Sequence, residues 1–192
     1  FNVAIPSLSR HFALGQDRIQ WAITGYMAAM TLAMLPTPWL LDRFGFRRCF
    51  LLATLLLGLT GIGGALMDDF TAVVLMRVLH GFAAGVLQPL GPLAVLRLFP
   101  PESQGRASGV LSFGIVFAPA VAPVLGGMLL DRFGWQAIFL LNLPFLLIAG
   151  VAALYLLPLP RELQKKPFDG RGVALLGIAT LAVIEGVTGL HA

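Results

Sequence analysis

Arg77 stands inside a long apolar run, Thr71–Leu96, with His80 three positions on and so on the same helical face. An arginine within a bilayer costs about 2.5–3.5 kcal/mol on insertion scales, and it persists where it faces a cavity or an acidic partner. The alternative is a guanidinium that snorkels to the interface. His80 could titrate near neutral pH, although a packed neutral imidazole is the simpler expectation. Glu185 is the carboxylate inside an apolar run and could carry a proton. Its place late in its helix favours an interfacial role instead. The sequence holds no metal-ligand cluster, P-loop glycine pattern, Ser–His–Asp set or CxxC, so its residues do not point to an ATPase or a hydrolase. No enzyme and no cofactor is expected.

Long apolar helices must position these residues. Hydrophobic residues make up 58 % of the 192 and charged residues 11 %, with a mean hydropathy of +0.88. Soluble domains hold roughly 45–50 % apolar and about 25 % charged residues, so the chain belongs in lipid. A spanning helix needs about 20 apolar residues. The candidates are Trp21–Leu41, Cys49–Met67, Thr71–Leu96, Ala107–Leu130, Gln136–Leu157 and Val173–Leu190, with Phe1–Leu8 as the tail of an earlier span. Both ends read as cut, which suggests a fragment. The single Cys49 rules out an internal disulfide and reads as a packing or lipid-facing residue.

The hexapeptide Leu-Leu-Asp-Arg-Phe-Gly occurs at Leu40–Gly45 and again at Leu129–Gly134, each time closing an apolar run. Counting the run closed by the second copy, three lie between them, an odd number that puts the copies on opposite membrane faces. Repeats of inverted orientation are a construction of secondary transporters. Basic residues give the polarity. Arg43, Arg47, Arg48, Arg97, Arg106, Arg161, Lys165, Lys166 and Arg171 fall on one side, and Arg10, Arg18 and Arg132 on the other. The richer side is expected to be cytoplasmic. No basic stretch is interleaved with aromatics, so no nucleic acid is expected.

The loop from Leu40 to Arg48 resembles motif A of the major facilitator superfamily, matching it at Asp42, Arg43, Gly45, Arg47 and Arg48, with Pro38 where a glycine is usual. Gly45 permits a tight reversal, the arginines can anchor at an anionic leaflet, and Asp42 can meet a helix N-terminus or a guanidinium when the cytoplasmic side closes. The run Arg77–Gly85 resembles the motif of the family's fourth helix, and the resemblance implies proton coupling at Arg77. Gly81 and Gly85 there form a face for close helix contact. Residues Gly109, Ala118, Ala122, Pro123, Gly126 and Gly127 resemble the family's antiporter motif, with alanines at two glycine positions. Pro119 and Pro123 are expected to kink that helix, whose small face would pack closely on a neighbour and seal a proton leak.

Further runs (Gln20–Tyr26, Leu98–Glu102, Phe139–Pro144 and Pro167–Gly172) resemble 14-spanner drug:proton antiporters of the EmrB/QacA type across almost the whole chain. The resemblance implies an all-α integral membrane fold of the major facilitator type. It would comprise a six-helix bundle of two inverted three-helix repeats over 1–157, with its first helix cut. A cytoplasmic linker over 158–172 and the start of a seventh helix over 173–192 would follow, giving the N-terminal half only. The implied function is proton-coupled multidrug efflux at the cytoplasmic membrane, with the proton as coupling ion and amphipathic or cationic small molecules as substrates. The C-terminal half of the same transporter would complete it, and a periplasmic adaptor would join it if the source is Gram-negative. A coupling aspartate of the family's first helix would lie upstream of Phe1. Trp21, Tyr26, Gln88 and Phe113 are candidate pocket residues. A facilitator for a metabolite, or a non-transporting membrane fragment, are the alternatives.

Overall fold

A computed structural model describes residues 4–158 and 167–189 of the chain. Ten helices account for most of them: α1 (Ile5–Phe12), α2 (Gln16–Met34), α3 (Thr37–Phe44), α4 (Phe46–Leu66), α5 (Phe70–Leu87), α6 (Leu90–Leu98), α7 (Pro101–Phe133), α8 (Gln136–Leu140), α9 (Leu143–Leu156) and α10 (Gly170–Gly189). Among the described residues four stretches are long and apolar enough to cross a membrane: Phe46–Leu66, Phe70–Leu98, Pro101–Phe133 and Gln136–Leu156.

The expected span Trp21–Leu41 is not continuous. Leu35 and Pro36 interrupt it, because prolines at 36 and 38 withhold two backbone donors. Thr37 Oγ1 donates to the Ala33 carbonyl at 2.9 Å and ties the two halves together. The run is also less apolar than the other four, being diluted by Thr24, Gly25, Tyr26 and the prolines. Gln88–Pro89 separates α5 from α6 in the same way, and Leu141–Asn142 divides α8 from α9 ahead of Pro144. α7, by contrast, runs unbroken through Pro119 and Pro123. The seventh expected span begins at Gly170, and its apolar part within the described residues is Gly170–Thr180. The expected linker falls mostly outside the described residues, as do Arg161, Lys165, Lys166 and the side chain of Glu185.

Two apolar clusters hold the bundle. One gathers Ala4, Leu8, Ile19, Val73, Trp135 and Phe139, with Leu130 packed against it. The other gathers Ala33, Leu41, Cys49, Ala53, Val86 and Leu90. Leu41 of the first hexapeptide and Leu130 of the second fall in different clusters. Outside the clusters, Leu66, Val116 and Leu156 are each more than 70 % exposed. Leucines and valines left bare along whole helices suit hydrocarbon, not water.

The two hexapeptides end their helices alike. Gly45 has φ 80° and donates its N–H to the Leu41 carbonyl, and Gly134 has φ 79° and donates to that of Leu130. With ψ near 180° at both, this is backbone that only glycine adopts readily. Gly45→Ala and Gly134→Ala should therefore each cost about 1–3 kcal/mol. A thermal unfolding midpoint in detergent reads this, and an unchanged midpoint for either variant would refute the turn geometry.

Candidate functional site

Glycine spacing on α5 sets the geometry of the site. A Cβ at Gly81 would run into the Tyr26 carbonyl, and one at Gly85 into the Met30 carbonyl. Backbone therefore meets backbone along α2 and α5, as the Gly81/Gly85 spacing predicts. The approach lays the Tyr26 ring against Arg77, whose guanidinium carbon lies 4.3 Å from the ring centroid. A cation over an aromatic face is attracted by the ring quadrupole, most strongly where water is scarce. One turn along α5, His80 is buried, with its ring centroid 6.2 Å from that of Tyr26. Its Nδ1 lies 3.0 Å from Thr60 Oγ1 on α4.

Tyr26, Arg77 and His80 line a cavity of about 490 Å³ whose wall also includes Pro123, Gly126 and Asn142. Four helical stretches thus converge on it. The grooves between α4 and α9, in contrast, are walled by leucines and other apolar residues. Only the first of these spaces offers charge, a ring face and directional polar groups together.

The sequence-derived candidates divide around this cavity. Arg77 and Tyr26 line it, together with Ala122, Pro123 and Gly126 of the antiporter-like helix. Gly109 and Ala118 do not: both are exposed, although Ala118 adjoins Pro119, which does line it. The expected close packing of that helix is absent among the described residues, since a Cβ at Gly109, Gly126 or Gly127 would meet nothing within 4 Å. α7 meets its neighbours α6 and α8, leaving its small face open. Trp21 and Phe113 are 66 % and 69 % exposed. Trp21 lies five positions before Tyr26, which turns it about 140° away on the helix. Phe113 stacks instead on Phe117, at 5.4 Å between centroids. Gln88 is exposed at the α5–α6 break.

Asn142 and Thr60 were not singled out from the sequence. Asn142 falls in the run Phe139–Pro144, where a lone amide inside apolar sequence beside a helix-starting proline is the available signal. Thr60 carried none, since a threonine bonding back to its own helix is ordinary.

Far from the cavity, Asp42 at the end of α3 pairs with Arg97 at the end of α6, Nη1 to Oδ1 at 2.7 Å. A guanidinium is one of the two partners open to Asp42 from the sequence, the other being a helix N-terminus; both side chains are partly solvent-exposed, where such pairs are worth little as stability. Arg43 sits in the last turn of α3, where the helix dipole favours a cation. Arg47 and Arg48 occupy the first turn of α4, where it does not, and no acidic residue accompanies them there.

Bare apolar helices around a charged, partly polar cavity define an integral membrane protein. Residues 1–187 match the profile of the Major Facilitator Superfamily, and the chain belongs to that family of transporters, not of enzymes, in the cytoplasmic membrane. It is similar to the uncharacterized MFS-type transporter YhcA of Bacillus subtilis, at 31 % identity over 97 % of this chain and 35 % of the relative. It is 34 % identical to a multidrug resistance protein B homolog of Mycobacterium tuberculosis, with the same coverage. The riboflavin transporter RibZ of Clostridioides difficile is 28 % identical over 95 % of this chain and 40 % of its own length. The chain therefore spans little more than a third of these relatives.

Proposed function

We propose that this chain supplies the N-terminal part of a proton-coupled multidrug efflux transporter working by alternating access. The observation that carries the reading is the stacking of Arg77 on Tyr26 inside a cavity walled by the antiporter-like stretch Ala122–Gly126. A fixed cation at Arg77 raises the cost of any second positive charge nearby, most of all where the dielectric is low. Proton and cationic solute then become competing occupants, as exchange requires. The Asp42–Arg48 loop serves as the cytoplasmic gate, with the Asp42–Arg97 pair fastening one closed arrangement. Residues 1–157 form the bundle, 158–172 the linker and 173–192 the start of the next helix. The open small face of α7 awaits a neighbour from the remainder of the transporter, and the two hexapeptides mark inverted repeats.

The test is transport by the full-length protein in liposomes under an imposed pH gradient, with ethidium as solute. Ethidium should move against its own gradient and stop when an uncoupler collapses the proton gradient. The similarity to a riboflavin transporter favours a second reading, a metabolite facilitator. Movement only down the solute gradient, equal with and without uncoupler, would support that reading. No movement of any solute would leave the non-transporting alternative.

A further inference from the structure

Thr60 Oγ1 has three polar neighbours: the Leu56 carbonyl at 2.8 Å, the Leu57 carbonyl at 3.1 Å and His80 Nδ1 at 3.0 Å. Carbonyl oxygens only accept, and a hydroxyl has one proton to give. Two oxygens 2.8 Å apart need that proton between them, so it goes to the Leu56 carbonyl. The Thr60 lone pair then faces His80, and Nδ1 must be the donor. A neutral ring with its proton on Nδ1 carries a lone pair on Nε2. Among the described residues the hydrogen bond of His80 runs through Nδ1, and the ring lines the Arg77 cavity. Thr60 does not line it.

We propose that His80 Nε2 is the cavity's hydrogen-bond acceptor for an N–H or O–H of the transported solute, and that Thr60 positions it by fixing the tautomer. Arg77 and Asn142 supply donors in the same wall. The site is thereby matched to a flat amphiphile carrying a carbonyl-type acceptor and, separately, an amine or hydroxyl donor. A solute with that donor alkylated leaves Nε2 desolvated and unpaired, which is the costly outcome. The inference rests on the transporter reading for what enters the cavity, but not on proton coupling.

The probes are 7-amino-4-methylcoumarin and its N,N-dimethyl analogue, both neutral and fluorescent, titrated onto the full-length protein in detergent. The amino form should bind about tenfold more tightly. His80→Leu should erase that preference, the amino form losing its acceptor and the dimethyl form gaining because no unpaired Nε2 is left. Thr60→Val should reduce it without touching the ligand, and Thr60→Ser should restore it. A merely structural role for either residue would weaken both probes equally and would overturn the proposal, as would binding of neither probe by folded protein. Histidine 15N spectra give a readout free of any ligand. A signal with Nδ1 protonated and Nε2 bare, lost in His80→Leu and altered in Thr60→Val, is expected; the opposite tautomer would refute the assignment. Uncoupled transport in the liposome assay would end the antiport reading and leave the probe preference intact.

Discussion

Valine at Gly85 should leave little folded protein in the membrane, and valine at Gly81 should do nearly as much harm. The atom each new side chain would strike is a main-chain carbonyl of α2, that of Met30 or of Tyr26, which has no rotamer by which to retreat. Relief requires α2 and α5 to separate, which also lifts Tyr26 from Arg77 and opens the α2–α5 seam. Overpacking typically costs about 1–3 kcal/mol and more where backbone must move, a large share of the stability of a single domain. The contrast lies in α7. Within this chain Gly109 and Gly127 meet open space, so in the chain expressed by itself Gly109→Ala and Gly127→Ala should be neutral, or stabilising by up to about 1 kcal/mol through the lower helix cost of alanine. Unfolding midpoints and the monodisperse yield of each variant in detergent decide the matter. Equal loss at Gly85 and Gly127 would show that glycines of this chain serve helix flexibility and not contact.

Much of this architecture is legible in the sequence because lipid imposes so few solutions. Apolar runs of spanning length announce α4, α7 and the paired stretches α5–α6 and α8–α9, and the repeated Asp-Arg-Phe-Gly announces where two of the helices end. The two glycines of α5 announce a close partner helix, whereas Asp42 leaves open a helix N-terminus or a guanidinium. What escapes is set by tertiary contact or by backbone detail. The run Trp21–Leu41 is apolar enough to read as one span, yet Pro36 and Pro38 divide it. Aromatic and polar residues such as Trp21, Gln88 and Phe113 look alike to any rule that prizes them inside apolar sequence. Only the rotation of each helix about its axis separates Tyr26 from them. Two prolines in α7 suggest a tightly packed helix, but a Cβ at Gly109, Gly126 or Gly127 would meet no neighbour among the described residues. Thr60 is silent because its role depends on where its single proton goes, and that is settled by a carbonyl one turn back.

Removing the ring beneath Arg77 should impair transport more than removing the phenol hydroxyl. Tyr26→Phe keeps the aromatic face that the guanidinium lies against, 4.3 Å from the centroid, and should retain most proton-driven ethidium transport. Tyr26→Leu removes the face while keeping bulk. A cation–π contact in a desolvated site is worth about 2 kcal/mol, so if that contact holds Arg77 in its working position, the rate should fall about thirtyfold. Arg77→Ala should abolish coupled transport altogether, since no other cationic side chain lines the cavity among the described residues. Arg77→Lys discriminates between charge and shape. An ammonium keeps the charge but loses the planar group that stacks, so it should fall between the parent and Arg77→Ala. Were Lys to match the parent while Tyr26→Leu also matched it, charge alone would suffice and the stack would be incidental. Were Arg77→Ala to keep full proton-driven transport, the coupling role would fall, whatever the state of the gate loop.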